Sequence, residues 1–142
     1  MALIHIGTEY SGIPQGSILG PILFLIYIND LPNVTHNTDT KIYLYADDAK
    51  IYSSITCVED SQCLQRVIDK VKQWCDEWLL PLNVSKCNAN SKINLDTSYC
   101  IKNKDSRHTI QKVDSIKDLG ILFDTRLNFK DHIQEKSTKH II

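Results

Sequence analysis

A chain of 142 residues, 42% hydrophobic and 23% charged, has the make-up of one ordinary globular piece. At that length it can bury roughly 68–70% of its unfolded surface around a single core. Sixteen Lys and Arg against 17 Asp and Glu give a formal net charge of −1, which excludes the strongly basic surface of a free-standing nucleic-acid binder.

The N-terminus has no basic stretch leading into an apolar one, so no secretory signal is predicted. Gly12-Ile13-Pro14-Gln15-Gly16 leads into the first clear element. Pro21 fits the first turn of a helix, where its missing N–H does no harm; Ile22 to Leu31 forms the body, and Pro32 ends it. Apolar residues on every side of that body predict burial on all faces. The run Ile18 to Ile28 spans only eleven residues, too few to cross a bilayer, so no membrane association is expected. Asn33 to Thr40 reads as a loop.

Two apolar runs follow, Ile42-Tyr43-Leu44-Tyr45-Ala46 and Ala49-Lys50-Ile51-Tyr52, separated by Asp47-Asp48. Strand, Asp-Asp, strand predicts a β-hairpin. Adjacent carboxylates within a strand would point to opposite faces; at the tip of a hairpin both can reach one cleft. Such a pair suits Mg²⁺ (or Mn²⁺), a hard cation that takes oxygen ligands from one or two carboxylates plus substrate phosphates. Phosphoryl or nucleotidyl transfer is the chemistry that needs this arrangement. Taken alone, the pair is better read as a solvated turn in which Asp bonds its own backbone.

The most regular helix comes next. Leu64, Val67, Ile68, Val71, Trp74, Cys75 and Trp78 recur at three- and four-residue steps and form one apolar stripe. Glu59 and Asp60 suit its N-terminus, and Pro81 terminates it. Both tryptophans are read as core anchors against a sheet rather than as base-stacking platforms. Short strands are predicted at Ile93-Asn94-Leu95, Tyr99-Cys100-Ile101, Thr109-Ile110-Gln111 and Leu119-Gly120-Ile121-Leu122-Phe123. Gly120 suggests a bulge or a close backbone approach. Asp131 to Ile142 opens a further helix. Cys57, Cys63, Cys75, Cys87 and Cys100 form no C-x-x-C pair, which argues for thiols in a reducing, intracellular compartment rather than a zinc site or disulfide framework.

Taken together, Gly12-Ile13-Pro14-Gln15-Gly16 through Asp30-Leu31-Pro32, Tyr45-Ala46-Asp47-Asp48, Trp74…Trp78-Leu79…Leu82-Asn83…Lys86-Cys87 and Lys117-Asp118-Leu119-Gly120-Ile121-Leu122-Phe123-Asp124 resemble reverse transcriptases of non-LTR (LINE-like, jockey-type) retrotransposons. The resemblance covers about residues 10–133. It implies an α+β fold: a partial polymerase palm, with an antiparallel sheet, a YADD hairpin and two helices packed on one face. Residues 1–128 would be the C-terminal part of the palm and 129–142 the start of a thumb. The resemblance also implies an RNA-directed DNA polymerase that uses an RNA template, a DNA primer and dNTPs, with two-metal transfer to a primer 3′-hydroxyl. Asp47 and Asp48 would hold metal. Tyr45 and Ala46 would lie near the primer end and the nucleotide sugar. Gln15 and Gly16 would contact template or nucleotide, Lys86 would lie near the triphosphate, and Leu119, Gly120 and Ile121 would form the primer grip. Nuclear rather than cytoplasmic action is implied only by such elements priming at chromosomal DNA.

Relatives of this kind carry a further metal-binding Asp well upstream of the Pro-Gln-Gly segment, and Met1 to Ser11 contain no Asp. The chain is therefore expected to be a fragment, inactive alone. A non-catalytic transposon remnant stands as the alternative. An unrelated Mg²⁺-dependent phosphohydrolase leaves Pro-Gln-Gly and Lys-Asp-Leu-Gly unexplained.

Overall fold

The apolar stripe that begins at Leu64 becomes one face of a long helix, Val58–Glu77. Its start is set by Asp60, whose Oδ2 accepts hydrogen bonds from the Thr56 and Cys57 backbone N–H groups at 2.8 and 3.1 Å and from the Thr56 hydroxyl at 2.7 Å. These satisfy donors that the first turn leaves open. At the other end the helix stops before Pro81. Leu79 takes a left-handed φ of 54°. The Leu80 N–H then reaches the Cys75 carbonyl at 2.8 Å and the Leu79 N–H reaches that of Asp76 at 3.4 Å. That pair of bonds is a Schellman closure, with leucine where glycine is usual.

The computed structural model describes residues 2–6, 18–92, 97–103 and 106–139. Among them the elements are β1 (Ala2–His5), α1 (Leu19–Ile28), β2 (Lys41–Tyr45), β3 (Asp48–Tyr52), α2 (Val58–Glu77), β4 (Asn88–Ala89), β5 (Cys100–Lys102), β6 (Arg107–Thr109), β7 (Gln111–Lys112), β8 (Ser115–Asp118), β9 (Ile121–Asp124) and α3 (Lys130–Lys139). Short 3-10 helices occupy Leu31–Thr35 and Val84–Lys86.

Five strands form a sheet in the order β2-β3-β1-β4-β7. Its pairs are antiparallel, as expected, except β4 with β7, which run parallel at that edge. β5 pairs with β6, and β8 with β9, as separate two-stranded sheets. One face of the five-stranded sheet supplies Ala2, Ile4, Ile6, Ala49, Ile51 and Ala89 to the core. The α2 stripe from Leu64 to Cys75 closes over them.

Several expectations change. The central strand β1 was not anticipated; Ala2, Leu3 and Ile4 are all buried, because a strand with neighbours on both edges and cover on both faces has no polar side. Trp74 is a core residue at 7% exposure, but Trp78 is 42% exposed. Trp78 caps α2, stacks on Trp74 with ring centroids 5.8 Å apart, and its carbonyl accepts a hydrogen bond from the Tyr27 hydroxyl. The predicted burial of the first helix on all faces is also overturned. Ile28 is buried, and Phe24 and Tyr27 are half-buried against the core and the tryptophans, a three- and four-residue stripe. Leu19, Ile22, Leu23, Leu25 and Ile26 are exposed, since a single core layer can cover only one side of a helix. Both long helices thus meet the same core, α2 along its length and α1 by one narrow stripe. The predicted strand at Ile93–Leu95 lies outside the described residues.

Candidate active site

β2 and β3 pair from Lys41↔Tyr52 to Tyr45↔Asp48, which leaves Ala46 and Asp47 as a two-residue connection. Ala46 adopts φ 50°, a left-handed conformation that is costly for a residue with a Cβ. The tight reversal leaves Asp47 exposed at the tip and Asp48 half-buried at the head of β3. Backbone bonds hold the tip in place. The Ile6 N–H donates to the Asp47 carbonyl at 2.8 Å, and on its other side Ile6 bridges to Leu82.

Side-chain alternation sorts the hairpin into two faces. Ile42, Leu44, Ala49 and Ile51 meet the core. Tyr43, Tyr45, Asp48, Lys50 and Tyr52 belong to the outer face, where the Tyr43 and Tyr52 rings meet edge to face at 5.5 Å. Burial pushes the Tyr52 hydroxyl pKa up, partly offset by the nearby Lys50 ammonium. Lys50 is itself buried, and its Nζ lies 2.6 Å from Asp118 Oδ2.

Asp118 ends β8. Asp118↔Ile121 closes that hairpin with Leu119 and Gly120 as its two-residue turn, at φ 46° and 81°. Two successive positive φ angles are the signature of a type I′ turn, whose twist matches the flanking strands. Gly120 is therefore neither a bulge nor a close approach, for nothing lies within 4 Å of where its Cβ would sit. Ile121 opens β9 and is exposed.

Lys86 is exposed in the 3-10 turn that follows Leu82. It sits on the segment that flanks β1 on the edge opposite β3, and no described contact joins it to the carboxylates. Gln15 and Gly16 lie outside the described residues. Among the described residues no cluster of three or more His, Cys, Asp or Glu is placed to hold a metal. Asp47 and Asp48 thus offer two carboxylates at one turn, a donor set that suits a hard cation whose remaining ligands are water or substrate phosphate oxygens. Sequence reasoning missed the Lys50–Asp118 link. Its signal was a lysine between apolar neighbours in a strand flanked by others.

The family model described as "Reverse transcriptase (RNA-dependent DNA polymerase)" matches residues 5–123. This chain belongs to the reverse transcriptase family. Among curated proteins it is similar to the "RNA-directed DNA polymerase from mobile element jockey" of Drosophila funebris, 33% identical over 129 residues, covering 87% of this chain and 14% of that protein. It is also similar to the "Probable RNA-directed DNA polymerase from transposon BS" of Drosophila melanogaster, 35% identical over 147 residues, with 93% of this chain and 16% of the relative covered. The "Probable RNA-directed DNA polymerase from transposon X-element" of the same species is 27% identical, covering 94% of this chain and 15% of its own length. This reverse transcriptase chain thus spans about one-seventh of the relatives it matches. No solved structure matches it. No helix among the described residues is long and apolar enough to cross a membrane.

Proposed function

We propose that this chain is the part of a non-LTR retrotransposon reverse transcriptase palm that carries the metal-binding carboxylates, and that it acts within a larger RNA-directed DNA polymerase. The observation that carries this reading is the Ala46-Asp47 turn, which sets two neighbouring carboxylates at the tip of a hairpin in a chain of this family. Asp47 and Asp48 would hold Mg²⁺ or Mn²⁺ together with the triphosphate of the incoming dNTP. Bound there, the metals would supply the Lewis-acid charge that nucleotidyl transfer to a primer 3′-hydroxyl needs.

The chain's own groups position the reactants. Tyr45 and the small Ala46 border the primer end and the nucleotide sugar. Leu119, Gly120 and Ile121 grip the primer strand, Gln15 and Gly16 contact template or nucleotide, and Lys86 lies toward the triphosphate. Residues 1–128 form the palm portion, and 129–142 begin the thumb. RNA template and DNA primer are partners of the complete enzyme, working inside the cell, in the nucleus where chromosomal DNA is the primer.

The test is a primer-extension assay on an RNA template with Mg²⁺ and dNTPs. The chain alone should be inactive, because positioning supplies much of the rate in phosphoryl transfer. Spliced in place of the matching segment of a full-length jockey-type polymerase, it should support extension. There Asp47→Ala should eliminate synthesis and Lys86→Ala should slow it. Undiminished extension with Asp47→Ala would refute the assignment.

A further inference from the structure

None of the roles above uses the Lys50–Asp118 pair, yet its surroundings are unusual for two charges. Lys50 is 7% exposed in the middle of β3, although its side chain belongs to the outer face of the sheet. Its register partner on β1 is the buried Leu3, which shares that face. On the other partner, Ile116 lies two residues before Asp118 on the same face of β8 and is buried as well. Both charged side chains are only 9% exposed at their 2.6 Å contact. Such a pair bears a desolvation penalty that a surface pair escapes, and well-packed apolar residues of similar size are often as stable. What an apolar pair lacks is direction.

The pair stands between the two turns that matter for catalysis. Lys50 follows Asp48 by two residues on the same face of β3, and Asp118 immediately precedes the Leu119-Gly120 turn. We propose that the Lys50–Asp118 ion pair is a positioning contact that fixes the Leu119-Gly120 turn relative to the Asp47-Asp48 turn. A primer strand held by the first turn then presents its 3′ end to the second. The functional half of this inference rests on the polymerase reading. The mechanical half, that the pair sets the spacing of the two turns, does not.

Two experiments separate the halves. In the first, nitroxide labels are carried on azido amino acids at Lys41 and Lys117, both exposed, because the chain has five cysteines of its own. Pulsed EPR should give one narrow distance in the otherwise unchanged chain. The Lys50→Met/Asp118→Leu double variant should keep its urea midpoint but broaden the distance at least about twofold, since apolar contact does not fix direction. The exchanged pair Lys50→Asp/Asp118→Lys should narrow it again. If the apolar variant does not fold, Lys50→Arg reads the same link, because it keeps the charge, alters the reach and should shift the mean distance. An unchanged distribution in the apolar variant, or in Lys50→Arg where the apolar variant does not fold, overturns the proposal.

In the second experiment, the same apolar pair in the jockey-type chimera should lower kcat for primer extension about tenfold. KM for dNTP should stay constant; loss of folded protein would do the same, so the discriminating readout is extension from mismatched primer ends, whose relative rate a smaller active fraction cannot change. Those ends should be extended relatively better. If the unsubstituted chimera makes no DNA, the polymerase reading fails and the EPR result alone decides the link. If it makes DNA and the apolar pair leaves kcat unchanged, the positioning role is refuted.

Discussion

Leu79 is 85% exposed and holds the left-handed position that closes α2. Its side chain packs on little, while its Cβ makes the conformation costly by roughly 1–2 kcal/mol. Leu79→Gly removes that strain and gives back part of the gain as unfolded-chain entropy. It should therefore stabilise the protein by about 0.5–1 kcal/mol, read as a higher urea midpoint at unchanged m-value. Asp60 governs the other end of the same helix. Hydrogen bonds from the Thr56 backbone first, then from the Thr56 hydroxyl and Cys57, hold its pKa at about 2 instead of the ordinary 3.8. A depressed carboxylate pKa stabilises the folded state above the unfolded value and loses that contribution as pH falls through the folded one. Asp60→Asn should thus unfold earlier than the parent at pH 7. The gap should close as pH drops from about 4 toward about 2, the window set by those two values, and urea titrations across that range would measure it. Leu119 shows the same strain as Leu79 in the β8–β9 turn, where Asn is the usual occupant.

α2 was legible because seven apolar residues at helical spacing leave one orientation, and six of them, from Leu64 to Cys75, are buried as the spacing requires. Trp74 carries the most surface into that core. Trp74→Ala should cost about 3–5 kcal/mol, measurable by chemical denaturation, with no compensating change in affinity for RNA. Its indole N–H meets no acceptor among the described residues, which trims the loss toward the lower figure. The hairpin of β2 and β3 was legible from alternation on one strand and a polar break. β1 was not. The unbroken apolar run is only Met1 to Ile4, before His5; so short a run fits a buried strand or a stray helix turn equally, and only its neighbours decide. The strand read as Leu119–Phe123 shifted for a related reason: a Leu-Gly turn lacks the polar residue that usually announces a reversal, so its first two residues were assigned to the strand.

At the level of the whole molecule, the candidate site divides by range. Asp47 and Asp48 were readable because both lie in one turn. The ion pair that ties them to the Leu119-Gly120 turn joins residues far apart in sequence, and no local pattern announces it. Apolarity told what α1 is made of but not what lies against it. That outward row of Leu19, Ile22, Leu23, Leu25 and Ile26 has a consequence for how the protein behaves as a solute. A continuous apolar ridge is the kind of surface that excluded salts drive together. Light scattering of the purified chain should therefore rise steeply with ammonium sulfate at concentrations that leave its secondary structure unchanged. Ile22→Glu with Ile26→Lys should push that threshold upward without moving the urea midpoint, because neither side chain belongs to the core.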